Sequence, residues 1–138
     1  MLIFPMTIYE LHRLWDKNNK GKSAASEHDL QVQCVRWFRY QYPLYACLLM
    51  AIPNGGLRNS IVAAKLKAEG VIAGTPDLFL AVPCKGSHGL WIEMKNGKAG
   101  RVSDKQSEMM SELTQKGYDC KVVRSFDEFV DTIEKYLK

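Results

Sequence analysis

Two apolar runs of strand length, residues 77–82 and 90–95, stand either side of a tight turn expected between Gly86 and Gly89. Runs at that spacing pair as an antiparallel hairpin, and this hairpin constrains the fold more than any other feature of the chain. Around it the punctuation is regular. Ser26 with Asp29 three residues on is a capping box, opening a helix whose apolar face is Leu30, Cys34, Trp37 and Phe38 and which Pro43 stops. The bounded apolar run at residues 44–52 is expected to be a strand, ended by Pro53-Asn-Gly-Gly56. Asn59 or Ser60 caps an alanine-rich helix that closes at Gly70, and Gly74-Thr-Pro76 makes a turn into the hairpin. Ser103 and Gln106 form a second capping box, before a helix in which Met109, Met110 and Leu113 are assigned to the core and which Gly117 ends. Residues 118–123 read as a strand. Ser125 and Glu128 open a last helix with the face Phe126, Phe129, Val130, Ile133 and Leu137. The order helix, strand, helix, strand, strand, helix, strand, helix predicts an α/β fold, a central mixed β-sheet flanked by helices.

Ahead of this body, Ile8, Leu11 and Trp15 recur at helical spacing and residues 17–25 form a polar linker, so the chain divides into an N-terminal segment 1–25 and a domain 26–138. The whole is 138 residues with 46% hydrophobic side chains, which supplies one domain's core and excludes disorder as the main state. No apolar run approaches the roughly 20 residues of a membrane helix, and the start lacks the basic region of a signal peptide. Cys34, Cys47, Cys84 and Cys120 are scattered without a C-x-x-C pair, which fits reduced buried thiols. A soluble intracellular domain is expected.

The net charge of +4 is a mild excess, and its placement is more informative. Between Asp29 and Glu69 stand Arg36, Arg39, Arg58, Lys65 and Lys67 with no acid among them; Lys95, Lys98, Arg101 and Lys105 form a second basic stretch. Two such stretches flanking one acidic motif point to phosphate contacts. The acidic motif is Pro76-Asp77 followed, after the hairpin turn, by Glu93-Met94-Lys95. Strand alternation puts Glu93 and Lys95 on one face with Ile92 and Met94 on the other, and Asp77 at the start of the neighbouring strand can reach the same end of the sheet. Two carboxylates crowded together are unfavourable without a cation, so the pattern suits Mg²⁺ held by the carboxylates beside a lysine that handles a phosphate oxygen or a nucleophile. Glutamate and lysine two apart also occur as an ordinary solvated ladder. Asn54, Gly55 and Gly56 are read as a loop allowing close approach of a phosphate to the backbone, with Arg58 adding charge. His28 and His88 lack ligand partners at useful spacing.

From about Ser26 to Tyr118 the chain resembles the virus-type replication-repair nuclease (VRR-NUC) domain, a branch of the PD-(D/E)xK nuclease superfamily. The resemblance rests on Glu27 and Gln31, Pro53-Asn-Gly-Gly with Arg58, Gly74-Thr-Pro-Asp77, Ile92-Glu-Met-Lys95 and Ser103-Asp-Lys-Gln106. It implies a restriction-endonuclease-like fold and Mg²⁺-dependent hydrolysis of phosphodiester bonds in branched DNA, with Mn²⁺ as a substitute. By the same resemblance Asp77 and Glu93 are metal ligands with the backbone carbonyl of Met94, Glu27 approaches the metal from the first helix, Lys95 orients the attacking water, and Gln106 supports the Lys95 side. Lys98 and Arg101 join the loop around Asn54 as DNA contacts. Glu27 is equally explained by the helix dipole, and Gln106 by reciprocal capping with Ser103.

The expected activity is a structure-specific endonuclease of the Holliday-junction-resolvase type, a DNA-repair activity in the cytoplasm of a bacterial or phage-infected cell. Paired cuts across a four-way junction need two sites related by symmetry, so a homodimer is expected. The alternatives are a nuclease for flaps or 5′ ends, and a non-catalytic DNA-binding module of the same fold.

Overall fold

Ser26 takes extended backbone, accepts from the Asp29 N–H at 3.1 Å and donates its own N–H to Asp29 Oδ2 at 3.0 Å. This reciprocal cap opens helix α1 (Glu27–Gln41) of the computed structural model, which describes residues 26–53 and 59–138 together with Thr7, Glu10, Arg13, Leu14 and Lys17. Thr7 and Glu10 exchange a similar pair of bonds, at 2.7 and 3.3 Å. Lys17, expected to begin the linker, is still helical. Ile8, Leu11 and Trp15, and residues 18–25, lie outside the described residues.

The body follows the expected order with one substitution. Residues 44–52 were expected to extend throughout, but Pro43–Leu48 winds into a 3₁₀ helix and leaves only β1 (Leu49–Ala51) as strand. The fixed φ of proline suits the first position of a helical turn, and the apolar run lacks the alternation that distinguishes a strand. Leu44 is 90% exposed at the tip of that turn. Asn59 then caps α2 (Ser60–Ala68) by accepting from the Val62 N–H at 2.8 Å. The hairpin is β2 (Leu78–Leu80) with β3 (Leu90–Met94); α3 (Asp104–Gln115), β4 (Asp119–Val123) and α4 (Phe126–Leu137) follow.

The four strands lie in the order β1-β2-β3-β4, antiparallel except for the parallel β3–β4 pair, so the sheet is mixed as expected. The tight turn is shifted from its expected position: Cys84 and Ser87 bridge across Lys85 and Gly86, both at positive φ (49° and 83°). Gly89 instead permits a close approach, since a Cβ there would lie 2.7 Å from the Phe79 ring.

Leu78, Leu80, Leu90, Ile92 and Met94 form one face of the sheet and are fully buried against Leu30, Cys34, Trp37 and Phe38 of α1 and Phe126, Phe129, Val130 and Ile133 of α4. Burial pushes the Cys34 thiol up to about 12. The other face carries Phe79 stacked on Trp91 at 4.3 Å with Tyr118 edge-on to both. Here the expectation for α3 fails. Met109, Met110 and Leu113 are only half-buried, and no residue of that helix enters the core. All four cysteines are free, but only Cys34 is buried; Cys47 is exposed and Cys84 and Cys120 are intermediate.

Candidate active site

One register step beyond the Leu78↔Ile92 pair, Asp77 faces Glu93 across the hairpin. Asp77 is anchored twice: its carbonyl accepts from the Ile52 N–H at 2.8 Å and its Oδ2 from the Met94 N–H at 2.7 Å. The turn before it is pressed onto the first turn of α3. Gly74 has φ 91° and a Cβ there would lie 2.6 Å from the Lys105 carbonyl oxygen, so a side chain would force the loop and the helix apart.

Glu93 is 1% exposed and is the one buried charged side chain among the described residues. Its Oε1 accepts from Gln106 Nε2 at 2.7 Å and lies 3.1 Å from Lys95 Nζ. Its Oε2 is buried with no hydrogen-bond partner among the described residues. Burial, and then the charge of Asp77, push the Glu93 carboxyl up to about 7, against the opposing pull of Lys95; Glu27 adds a further upward push. Burial also raises Asp77, although the Met94 N–H, the Lys95 ammonium and a hydrogen bond with the Glu93 side chain act the other way. Both carboxyls are raised by burial, and Glu93 further by the charge of Asp77, so near neutrality the pair holds protons more tightly than free carboxyls do.

Gln106 reconciles the two readings of its role. Its Oε1 accepts from the Ser103 N–H at 2.9 Å, completing the capping box, while its Nε2 serves Glu93. One amide both starts α3 and ties that helix to the acidic pair. Lys95 is held from behind: its N–H donates to the Val123 carbonyl at 2.9 Å, and Gly100 packs so closely that a Cβ there would lie 3.1 Å from Lys95 Cβ.

The loop that carries Lys98 and Arg101 is tied down by a residue that sequence reasoning missed. Arg124, just after β4, donates from Nη1 to the carbonyls of Gly97 (3.0 Å) and Gly100, and its carbonyl accepts from the Gly97 N–H at 3.3 Å. Nothing near Arg124 in the sequence signals that reach across 27 positions. Lys98 and Arg101 are themselves exposed. Asn54, Gly55, Gly56 and Arg58 lie outside the described residues.

Asp77, Glu93, Lys95 and Gln106 are therefore brought together at one end of the hairpin. Glu27, at the first position of α1, is near enough for its charge to act on Glu93. Among the described residues, however, no three His, Cys, Asp or Glu side chains gather into a ready metal cluster. The donors still fit a hard divalent cation: two adjacent carboxylates that resist joint ionisation, one with a buried oxygen lacking a hydrogen-bond partner among the described residues.

With this geometry in view, the likenesses to known proteins fall into place. The family model of the VRR-NUC domain matches residues 19–127, and the chain belongs to that nuclease-type family. A solved structure described as a VRR_NUC domain protein is 26% identical and superposes with a TM-score of 0.73, over 83% of this chain and 89% of that one. A search of the curated proteins finds no match. No helix among the described residues is long and apolar enough to cross a membrane.

Proposed function

We propose that the chain is a divalent-metal-dependent endodeoxyribonuclease that cuts branched DNA, working as a homodimer on four-way junctions. The observation that carries this reading is the opposed pair Asp77 and Glu93, with the orphaned Glu93 Oε2 and the Lys95 ammonium 3.1 Å from Glu93 Oε1. Asp77 and Glu93 would hold Mg²⁺, or Mn²⁺ in its place, with the Met94 carbonyl and Glu27 completing the set. Bound there, the ion would lower the pKa of a water and offset negative charge on the phosphate.

The chain's own groups supply the rest. Lys95 donates toward a phosphate oxygen as charge builds there, and holding it by Glu93 and Gly100 removes the reorganisation a free lysine would need. Gln106 locks Glu93 Oε1, so that Oε2 is the oxygen left for a ligand. Lys98 and Arg101, on the loop tied by Arg124, contact flanking phosphates, as do Asn54, Gly55, Gly56 and Arg58. Residues 26–138 form the nuclease domain, with residues 1–25 an appended segment.

The test is cleavage of a panel of four-way junctions, flaps and linear duplex with and without Mg²⁺, alongside the mass in solution. Symmetric nicking of junctions by a dimer, abolished by chelation, is the expected result. A monomer cutting only flaps would make this a flap nuclease. Binding without cleavage of any substrate would make it a binding module.

A further inference from the structure

The basic run on α1 is not used by the catalytic end, yet it lines a cleft of about 570 Å³ between α1 and the end of β1. His28, Gln31, Arg36 and Arg39 lie along it, and no acidic side chain is among its described lining residues. Its apolar lining is Val32 and Val35 from the helix and Ala51 from the strand, with the exposed Tyr40 at the far end. Arg36 and Arg39 have no ion-pair partner among the described residues, so their charge is available to a ligand. The cleft also has a direction. His28 follows Glu27, whose charge is felt at Glu93, and Tyr40 lies twelve residues further along the helix, about 18 Å at 1.5 Å per residue.

We propose that this cleft is the track for one unpaired DNA strand leading away from the catalytic end, its phosphates on Arg36 and Arg39 and a base against Tyr40. Charge alone would suit any polyanion. The apolar lining and the aromatic side chain select further, because a duplex keeps its bases stacked inside and has no use for such a surface, whereas an unpaired strand offers base faces and sugars to cover it. A protein partner would meet the same apolar side chains, but two arginines with His28 and Gln31, and no acid among the described lining residues, favour the phosphate backbone. The inference rests on the nucleic-acid reading above and adds to it a preference for junctions or forks with a single-stranded arm at the branch.

Binding by the full-length protein is measured by fluorescence anisotropy without divalent cation. The probes are a blunt duplex and a fork of the same duplex carrying a single-stranded arm, each over a range of salt. The variants are the double change Arg36→Ala with Arg39→Ala, and Tyr40→Leu, which keeps apolar bulk and removes the ring. All three positions are exposed, so the variants should melt close to the unaltered protein. The double variant is expected to weaken fork binding by 10-fold or more and to flatten the salt slope by about 1.4, two contacts at about 0.7 each. Tyr40→Leu is expected to weaken fork binding about 10-fold with the salt slope unchanged. In both, duplex affinity should fall no more than about threefold. Equal losses for fork and duplex overturn the strand track in favour of a general phosphate patch, and unchanged fork binding overturns it outright. If the unaltered protein binds neither these probes nor a four-way junction, the nuclease proposal falls with it; if it binds a junction and cuts DNA while the variants match it on the fork, only this inference fails.

Discussion

The two faces of the central sheet are built to different standards. Ile92 and Met94 point into a fully buried layer of apolar side chains closed by α1 and α4. Glu93, between them on the strand, and Lys95, one residue past its end, point to a face over which α3 buries none of its residues fully. Glu93 is nonetheless 1% exposed, with the polar partners Gln106 and Lys95 on its Oε1. Where the sheet must hold the fold together it excludes polarity; where it gathers charge it uses polar cover that a ligand can complete. Substitutions on alternate residues of one strand should therefore separate activity from stability, and the largest effects should come from the acidic pair.

Asp77→Asn and Glu93→Gln should each lower cleavage by about a thousandfold or more, with junction affinity changed only a few-fold, because groups holding a catalytic cation stabilise the transition state more than the bound ground state. Single-turnover rates and anisotropy on the same junction decide this. A variant retaining a tenth of the activity would remove the pair from the catalytic centre. Ile92→Ala, one residue away on the opposite face, should instead cost about 3 kcal/mol of stability by leaving a cavity in the buried layer. Met109→Ala on α3 should cost less than about 1 kcal/mol, and urea melts that give the two variants equal losses would erase the distinction between the faces.

The division also explains which parts of the structure were legible in the sequence. Both capping boxes were, since Ser26 with Asp29 and Ser103 with Gln106 act over three residues and need no tertiary context. The core positions of α1 and α4 were legible because a buried apolar layer imposes strict helical periodicity. Residues 43–48 were not, because a short apolar run after proline fits a 3₁₀ turn as well as a strand. Met109 and Met110 misled because an apolar stripe records which side faces inward and not how completely it is covered. At the site, the alternation along β3 placed Glu93 beside Lys95, and the hairpin brought in Asp77. The hold of Arg124 on the carbonyls of Gly97 and Gly100 was invisible, since it joins segments distant in the chain through backbone acceptors that carry no residue signature.

Lys95→Ala sharpens the comparison within the charged face. A lysine held by Glu93 and packed on Gly100 should act mainly as charge develops, so the single-turnover rate at saturating enzyme should fall about a hundredfold while affinity changes a few-fold. An intact rate with weakened binding would make Lys95 a phosphate anchor only.

Stability against pH tests the same face without catalysis. Glu93 is raised in the folded protein to about 7 from an ordinary value of 4.5, so between those values the folded state holds the proton more tightly than the unfolded state. Stability without metal should therefore be greatest at or below about pH 4.5 as far as this group is concerned. It should fall as pH rises toward 7, by on the order of 3 kcal/mol. In Glu93→Gln that component should vanish, and Mg²⁺ should restore stability above pH 7 in the unaltered protein alone. Parallel pH curves for the two proteins would mean that Glu93 titrates as an ordinary surface acid.

Gln106 gives the smallest and most discriminating effect, because its two ends serve different masters. Gln106→Glu keeps an acceptor for the Ser103 N–H and so preserves the capping box, with helix stability changed by no more than about 0.5 kcal/mol. It removes the donor to Glu93 Oε1 and sets a third carboxylate against the pair. Cleavage should fall about tenfold at neutral pH, with part of the loss recovered at higher Mg²⁺ as the ion offsets the added charge. Ser103→Ala provides the opposite half of the comparison: it removes the hydroxyl cap, at a cost of about 1 kcal/mol, while Gln106 Nε2 still reaches Glu93. Should Ser103→Ala lower the cleavage rate as much as Gln106→Glu, the amide would be acting through the helix alone, and the link from α3 to the acidic pair would carry no catalytic weight.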